Sequence, residues 1–246
     1  MFVSHPRPTL PKCPPFVGVA GRKVVQPVAM TGPTSVSARV YEHLRDQILN
    51  GELDSLPSER RLAEELGASR HAVREALKRL QQSGLIRITQ GGATRVRDWR
   101  RHGGLELLLG LDHPPPGLDI ERAVMEMRAS IGADAARRCA TRANAVIRAE
   151  LEARAEMLAA ETDLDARNTI YEAFWDLIID GADNLAYRLA LNTLVSDQRL
   201  VELDARRVAA ELNDADAVRA LAAAIAAGGD DTAFTRARDL LERSAR

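Results

Sequence analysis

Residues 56–88 read LPSERRLAEELGASRHAVREALKRLQQSGLIRI, and this stretch decides the fold of the N-terminal part of the chain. Ser58 predicts the start of a short helix, because a serine side chain can accept a hydrogen bond from a free amide of the first turn. Gly67 predicts its end, since glycine tolerates the left-handed conformation that follows a last turn. Ser69 predicts the start of the next helix, in which apolar residues recur every three or four positions. Two helices therefore meet across a short turn.

The segments on either side of this helix pair complete a small domain. Upstream, an apolar stripe with intervals of four residues predicts another helix, which Gly51 ends; its members are Val36, Val40, Leu44 and Ile48. Downstream, residues 85–89 are rich in β-branched side chains and precede Gly91-Gly92 and residues 94–97, which predicts a β-hairpin. Together these elements predict a winged helix-turn-helix domain over residues 34–99.

Beyond Trp99 the chain consists largely of Ala, Leu, Glu and Arg with amphipathic spacing. This composition predicts a mainly α protein whose C-terminal part, residues 118–246, is an antiparallel all-α bundle. Residues 100–117 are predicted to hold a linker helix near Leu105 to Leu111 and a loop at Pro114 to Gly117. The predicted bundle helices are 118–141, 143–161, 165–180, 184–210, 214–227 and 231–244.

Residues 1–33 contain seven of the 11 prolines and show neither a helical nor a strand period, so we expect a disordered segment. The segment lacks the continuous apolar core of a signal peptide, and translation from Met30 instead of Met1 stays open. The two cysteines, Cys13 and Cys139, cannot form a disulfide framework, and we expect a cytoplasmic protein. No apolar run approaches the roughly 20 residues that a membrane-spanning helix needs.

The charges are distributed unevenly along the chain. Residues 1–33 carry four basic and no acidic side chains, residues 34–100 carry 12 basic and 9 acidic ones, and residues 101–246 carry 18 and 26. The net charges of these segments are therefore +4, +3 and −8, and they give the formal total of −1. The N-terminal part is the one suited to a polyanion, and the bundle is not a nucleic-acid surface.

The second helix of the pair presents basic side chains on one side. Arg70, His71 and Arg74 lie opposite its apolar residues, and Arg60 and Ser69 fall near the same end. An arginine at the N-terminal end of such a helix can bond the O6 and N7 atoms of guanine in the major groove. An arginine-rich helix face can also be simply solvated. The neighbouring hairpin favours DNA contact.

The predicted hairpin offers further contacts to a sugar-phosphate surface. Gln90 supplies an amide, Gly91-Gly92 lets the backbone come close, and Arg95 and Arg97 alternate onto one face of a strand. The alternative is that the glycines form an ordinary tight turn. With a recognition helix just upstream, we expect phosphate contacts here.

Residues 56–63, 69–77 and 84–86 resemble the DNA-binding pattern of the GntR family of bacterial transcription regulators. The resemblance implies a homodimer that binds a short palindrome in double-stranded DNA. It also implies contacts to DNA from Arg60, Ser69, Arg70, His71, Arg74, Gln90 and Gly91. His71 and Ala72 stand where related proteins often carry threonines, so this chain departs from the family there.

Residues 92–99, 104–108, 171–175 and 181–184 resemble the corresponding parts of the FadR subfamily, whose helical domain binds an effector. Many relatives hold a metal there through an Asp, a His four residues later, and two further histidines. Here those positions carry Tyr171, Trp175, Val218 and either Leu240 or Leu241. No histidine follows His113, so we expect neither a metal nor another cofactor.

The same replacements make the expected cavity apolar, which suits an acyl chain better than a small dicarboxylate. Tyr171 and Arg128 match residues of the acyl-CoA-binding members, and Trp175 and Arg188 complete the expected effector contacts. A long-chain acyl-CoA or fatty acid is the leading effector. The alternative is that the aromatic residues are ordinary core and that Arg128 pairs with an acidic side chain, Asp134 or Glu126.

The chain shows no phosphate-binding glycine loop, no Gly-x-Ser-x-Gly motif and no Cys-His pairing, so we do not expect an enzyme or catalytic residues. The sequence favours a dimeric, ligand-controlled transcription regulator of lipid metabolism or transport genes, a repressor bound to DNA in the cytoplasm. Two alternatives keep the DNA-binding role: another small organic acid as effector, or a bundle used mainly for dimerisation. A catalytic module joined to a DNA-binding domain is a third alternative.

Overall fold

The computed structural model describes residues 35–88, 94–108, 117–195 and 208–245. Its first three helices are α1 (Val36–Leu49), α2 (Glu59–Leu66) and α3 (Arg70–Gln82). The Ser58 hydroxyl accepts a hydrogen bond from the amide of Arg61, and the Ser69 hydroxyl accepts one from the amide of Ala72. Gly67 has a φ of +59°, the left-handed conformation that ends α2. The predicted helix pair and its caps are confirmed.

A three-stranded sheet forms the wing. Its strands are β1 (Ser55–Leu56), β2 (Ile86–Arg87) and β3 (Thr94–Val96), in the order β1-β3-β2 with both pairings antiparallel. The hairpin of β2 and β3 was predicted, whereas β1 was not, because a two-residue strand is too short to show alternation. The hairpin turn with Gln90, Gly91 and Gly92 lies outside the described residues.

The core of the N-terminal domain fixes the orientation of α3. One side of each helix is buried in a shared apolar cluster with the base of the wing, which includes Val40, Leu44, Leu62, Val73, Leu77, Leu80, Leu85 and Ile86. Leu107 joins the same cluster from beyond the wing, and Trp99 packs against it. Since the apolar side of α3 is held in this core, its opposite side faces outward.

The linker differs from the single helix predicted near Leu105 to Leu111. The structure has a one-turn helix α4 (Trp99–His102) followed by a 3₁₀ turn at Leu105–Leu108. Gly103 and Gly104 separate the two, because glycine weakens a helix by its conformational freedom. Residues 109–116, which include most of the predicted proline loop, lie outside the described residues.

Gly84 shows how closely the linker packs against the end of α3. Its φ is +73°, and a Cβ atom at this position would lie 2.0 Å from the carbonyl oxygen of His102. Any side chain here would therefore push the linker away from the helix pair. The close approach places the end of α4 beside the C-terminal end of α3.

The C-terminal part is a helical bundle, as predicted. Its helices are α5 (Ile120–Arg142), α6 (Ala145–Ala160), α7 (Leu164–Gly181), α8 (Leu185–Val195), α9 (Ala209–Leu212), α10 (Ala215–Ala226) and α11 (Asp230–Ala245). Side chains of Asp119, Asn144, Asp163 and Asp214 cap α5, α6, α7 and α10. These short polar groups explain why each helix begins where it does.

The long helix α5 lies at the centre of the bundle and packs against α7, α8, α10 and α11. Small residues on its buried side allow this close packing; they include Ala133, Ala136 and Ala140. Bulkier residues of the neighbouring helices fill the core around it, among them Phe174, Ile178, Val218, Leu221 and Leu240. No helix within the described ranges is long and apolar enough to cross a membrane.

The predicted helix 184–210 is corrected at its C-terminal end. The structure has α8 at Leu185–Val195 and a separate one-turn helix, α9, at Ala209–Leu212. Val208 is the N-cap of α9, and Asn213 its C-cap, so α9 ends two residues beyond the predicted boundary. Residues 196–207 lie outside the described residues. The position of α9 brings a side chain into the core that the sequence did not single out.

Candidate functional site

The outward side of α3 carries the expected DNA-binding side chains. Arg70, His71 and Arg74 are exposed, whereas Val73 and Leu77 of the same helix are buried. The predicted division of α3 into a packed and an open side is therefore present. Arg70 is the first residue of the helix, where its side chain and the free amides of the first turn can reach an anion together.

Arg74 is engaged by an acidic residue of the preceding helix. Its Nη2 atom lies 2.9 Å and its Nε atom 3.2 Å from Oε2 of Glu59, the first residue of α2. The hydrogen bonds and the charge of Glu59 raise the pKa of Arg74 above its ordinary value. This pair ties the start of α2 to α3. Sequence reasoning missed it, because the two residues lie 15 positions apart, a separation that follows no helical spacing rule.

Arg60 and Ser69 occupy different situations on the same side. Arg60 is exposed, and its Nε atom lies 3.8 Å from an oxygen of Glu64, one turn later on α2. Such a surface pair is weak and leaves the guanidinium able to turn towards a phosphate. Ser69 uses its hydroxyl to cap α3, so its structural role is the start of the recognition helix.

The wing adds a pair of arginines that face each other across two strands. Arg95 of β3 is paired in register with Arg87 of β2, and both are exposed. Two like charges directly opposite on one sheet face destabilise it unless an anion lies between them. Arg87 was not predicted as a contact, although the two-residue period of a hairpin could have placed it beside Arg95. Gln90 and Gly91 lie outside the described residues.

The bundle contains a buried cluster of three polar side chains, defined by Arg128, Tyr171 and Glu211. The two Nη atoms of Arg128 lie 2.8 and 2.9 Å from the two carboxylate oxygens of Glu211. The Tyr171 hydroxyl donates a hydrogen bond to Oε2 of the same carboxylate. Glu211 is 0% exposed and Tyr171 is 2% exposed. A carboxylate bound by both arms of a guanidinium and by a phenol is a complete anion site.

The environment of Tyr171 keeps it a hydrogen-bond donor. Burial and the nearby charge of Glu211 raise its pKa well above the ordinary value, although Arg128 acts in the opposite direction. The hydroxyl is therefore protonated at any physiological pH. Arg128 and Tyr171 together present only donors to the group between them.

Trp175 borders this cluster. Its ring meets Tyr171 edge-on with a centroid distance of 6.2 Å, and it meets Phe174 in the same way at 6.1 Å. Its indole nitrogen is buried and has no hydrogen-bond partner among the described residues. Gly132 of α5 makes room for Leu241 and for the ring, since a Cβ there would lie 2.5 Å from Leu241 Cδ1 and 3.3 Å from Trp175 Cζ3.

The structure brings together three of the four predicted effector residues. Arg188 lies elsewhere: its guanidinium bonds Asp176 at 2.5 Å and Asp180 at 2.6 Å, which joins α8 to α7. Its role in effector binding stays a prediction.

The alternative that Arg128 pairs with an acidic side chain of the protein is what the structure shows, but the partner is neither Asp134 nor Glu126. The pair is formed with Glu211, which stands 83 residues away in sequence. Asp134 instead binds Arg137, Arg138 and Tyr187, and these bonds lower its pKa to about 2 although burial acts in the opposite direction. No local pattern distinguishes the buried Glu211 from the exposed glutamates of the bundle.

The positions that hold a metal in many relatives are apolar or aromatic here, and Tyr171, Val218, Leu240 and Leu241 are buried. Within the described ranges, no group of three or more His, Cys, Asp or Glu side chains is close enough to hold a metal ion. The one carboxylate of the cluster, that of Glu211, is already paired with the guanidinium of Arg128 and the hydroxyl of Tyr171.

Comparisons with known proteins agree with this arrangement. The profile of bacterial regulatory proteins of the gntR family matches residues 36–96, and the profile of the FCD domain matches residues 123–243. The chain belongs to the GntR family. It is a transcription regulator with an N-terminal helix-turn-helix domain and a helical FCD domain of the FadR-like type.

Two mycobacterial relatives match most of this GntR-family chain. The HTH-type transcriptional regulator Mce2R of Mycobacterium tuberculosis is 39% identical over 217 residues, which cover 85% of this chain and 89% of that protein. An uncharacterized HTH-type transcriptional regulator of Mycobacterium bovis, Mb0601, matches with the same figures. A Serratia proteamaculans protein, named fatty acid metabolism regulator protein, is 33% identical over 147 residues, 56% of this chain and 58% of its own.

Proposed function

We propose that this regulator is a repressor that binds a fatty acid or a long-chain acyl-CoA in its bundle and then releases DNA. The observation that carries the proposal is the buried cluster, in which Arg128 and Tyr171 hold the carboxylate of Glu211 inside an apolar core. An amphiphile with an acidic head group and a long apolar tail matches both properties.

The surroundings of the cluster suit the tail of such a ligand. The core around Tyr171 is built from apolar side chains such as Phe174, Val218 and Leu240. Each methylene that enters such an interior adds about 0.8 kcal/mol of binding free energy. Affinity should therefore rise with chain length until the available space is filled.

The name of one relative supports a role in lipid metabolism. The Serratia proteamaculans fatty acid metabolism regulator protein shares 33% of residues over the matched 147. We infer that genes of lipid metabolism or transport are the targets of this chain as well. A second candidate, another small organic acid as effector, is favoured by the two-armed contact of Arg128, which any carboxylate could make.

On DNA, the protein acts as a homodimer on a palindromic site. Arg70 reads a base at the start of α3, while Arg60, Ser69, His71 and the wing residues Gln90, Gly91 and Arg95 contribute backbone contacts. Arg74 contacts DNA if its ion pair with Glu59 is replaced by an ion pair with a phosphate of the DNA. The ligand releases DNA only if it binds more tightly to the dimer arrangement that does not bind DNA. A ligand with equal affinity for both arrangements would leave their populations unchanged.

This role requires neither a metal nor catalysis. The buried cluster offers a guanidinium and a phenol as hydrogen-bond donors to an anion. The protein acts in the cytoplasm, where its DNA lies.

A native mass spectrum of freshly purified, untagged protein tests the proposal. A dimer that carries acyl species supports it, and a dimer that carries a short organic acid supports the second candidate. A bare dimer from cells grown on fatty acid contradicts both and leaves the bundle a dimerisation module. A genome-wide binding map then shows whether the bound promoters belong to lipid genes, and a map without them contradicts the proposed targets.

A further inference from the structure

The carboxylate of Glu211 has the contacts that a bound ligand would have. Both of its oxygens are bonded to Arg128, one of them also accepts from Tyr171, and the residue is fully buried. Its two partners belong to the long helices α5 and α7, whereas Glu211 belongs to the one-turn helix α9. The two donors thus lie on long helices of the bundle, and the acceptor is carried by a short one.

We propose that Glu211 is an internal occupant of an anion site whose external ligand is a free carboxylate, and that the ligand binds by displacing Glu211. This inference rests on the proposed function, because it specifies the head group of the effector. It selects the fatty acid over its CoA thioester.

The geometry supports a carboxylate over a thioester. A carboxylate supplies two equivalent charged oxygens at the separation that matches the two Nη atoms of a guanidinium. A thioester supplies one neutral oxygen. That oxygen would face one nitrogen of the guanidinium and would leave the charge of the guanidinium without an anionic partner in a buried site. Breaking a buried ion pair in this way is strongly unfavourable.

The exchange of one carboxylate for another costs little free energy, because no buried charge is left without a partner. Arg128 keeps its ion pair and Tyr171 keeps its acceptor, while Glu211 regains hydration when it leaves the core. The two head groups nearly balance, so the burial of the ligand's apolar tail decides the direction. A short acid alone would compete poorly with the tethered Glu211.

The contacts of α9 indicate which part of the bundle moves when Glu211 is displaced. Val208 and Leu212 are buried on either side of Glu211, and the side chain of Arg167 on α7 donates to the carbonyl oxygen of Leu212. Displacement of Glu211 therefore removes one of the attachments of this turn and leaves the buried side chains of Val208 and Leu212 and the Arg167 hydrogen bond. The segment 208–212 becomes the part of the bundle that reports whether a ligand is bound.

The test removes the internal carboxylate and offers a small external one. In Glu211→Ala, sodium propionate should raise the melting temperature saturably, by about 3 °C at tenfold excess over its dissociation constant. Propionamide, the neutral isostere, should have no effect, and sodium chloride controls for ionic strength. Neither the parent protein nor Glu156→Ala should respond, since Glu156 forms a two-armed pair with Arg219 on the surface.

The outcomes separate the inference from the proposed function. Selective stabilisation by propionate supports the inference, and a folded Glu211→Ala that ignores propionate overturns it. If Glu211→Ala does not fold, Glu211→Gln gives the same comparison, because the amide keeps the shape and loses the charge that competes with propionate.

Palmitate provides the second arm. Its affinity for Glu211→Gln should exceed its affinity for the parent about tenfold, and equal affinities would overturn the displacement. Palmitate that binds neither protein, together with propionate that stabilises Glu211→Ala, would contradict the lipid function and leave the carboxylate site standing. Palmitoyl-CoA that binds the parent more tightly than palmitate would contradict the choice of head group.

Discussion

Each of the two domains contains an arginine that forms an ion pair with a glutamate of another helix. The two ion pairs differ in how far water reaches them. In the DNA-binding domain, the side chains of Arg74 and Glu59 are 58% and 39% exposed. In the bundle, those of Arg128 and Glu211 are 17% and 0% exposed. The first pair is surrounded by water, which hydrates either partner if the other leaves. In the second pair Glu211 has no contact with water and Arg128 has little, so the loss of either partner leaves a charge that water hydrates poorly.

On the surface, Arg74 can therefore exchange Glu59 for another anion through water. In the bundle, Arg128 must always be paired with an anion. A polyanion can compete with Glu59 for Arg74 because the exposed ion pair contributes little to stability. Only a ligand with a matching head group can compete with Glu211 for Arg128. The comparison predicts which substitutions affect folding and which affect binding.

The largest effect is expected from breaking the buried pair on one side. Arg128→Met leaves the carboxylate of Glu211 buried without its guanidinium, which should lower the free energy of unfolding by about 3–5 kcal/mol. Urea unfolding monitored by circular dichroism measures the loss. Arg219→Met, which breaks the exposed pair with Glu156, should change it little.

The double variant Arg128→Met/Glu211→Leu sharpens this prediction. It removes both charges and fills the site with apolar side chains, so most of the lost stability should return. A single Arg128→Met that unfolds like the parent would show that Glu211 is hydrated, contrary to its burial.

The next effect concerns base recognition in the exposed region. Arg70→Ala should reduce discrimination at one base position of the operator by about 1–3 kcal/mol, because an arginine can bond guanine through two atoms. Binding to a set of operators with single base changes measures it. Weakening that is equal on operator and random DNA would make Arg70 a phosphate contact.

A smaller effect is expected from releasing Arg74. Glu59→Ala should barely change the melting temperature, since its partner is exposed. It should make the dependence of log affinity on log salt steeper by roughly one unit, because Arg74 then neutralises one more phosphate. A salt titration of DNA binding gives the slope. An unchanged slope would mean that Arg74 already contacts DNA in the presence of Glu59.

No effect is expected from removing metals. Prolonged chelation should leave the melting temperature and the DNA affinity of untagged protein unchanged, because Tyr171, Trp175 and Val218 cannot replace the lost ligands. Stoichiometric zinc or nickel, whose removal destabilises the bundle, would overturn this.

The sequence allowed the prediction of those elements whose signals are local. Ser58, Ser69 and Gly67 act on their own helices, so their capping roles could be read from neighbouring residues. The linker was harder, because Gly103-Gly104 divides it into two turns that each bury little. Strand β1 forms by pairing with β3, some 40 positions later, and a two-residue segment carries no pattern of its own.

The candidate site was predictable only in part for the same reason. Arg128 and Tyr171 were identified through the family resemblance, and the basic side of α3 through its periodicity. The partners Glu59 and Glu211 depend on how separate helices meet, 15 and 83 residues away from the arginines that they bind. Nothing in the residues around either glutamate distinguishes it from its exposed counterparts.

The central claim is that a fatty acid bound in the bundle lowers the affinity of the recognition helix for DNA. An operator-binding titration with fatty acids of increasing length, each kept below its micelle-forming concentration, tests it most directly. We predict that the concentration needed to release DNA falls with each added methylene and then levels off, and that Glu211→Gln shifts the whole series to lower concentrations. Curves that do not depend on chain length, or DNA that is never released, would contradict the claim.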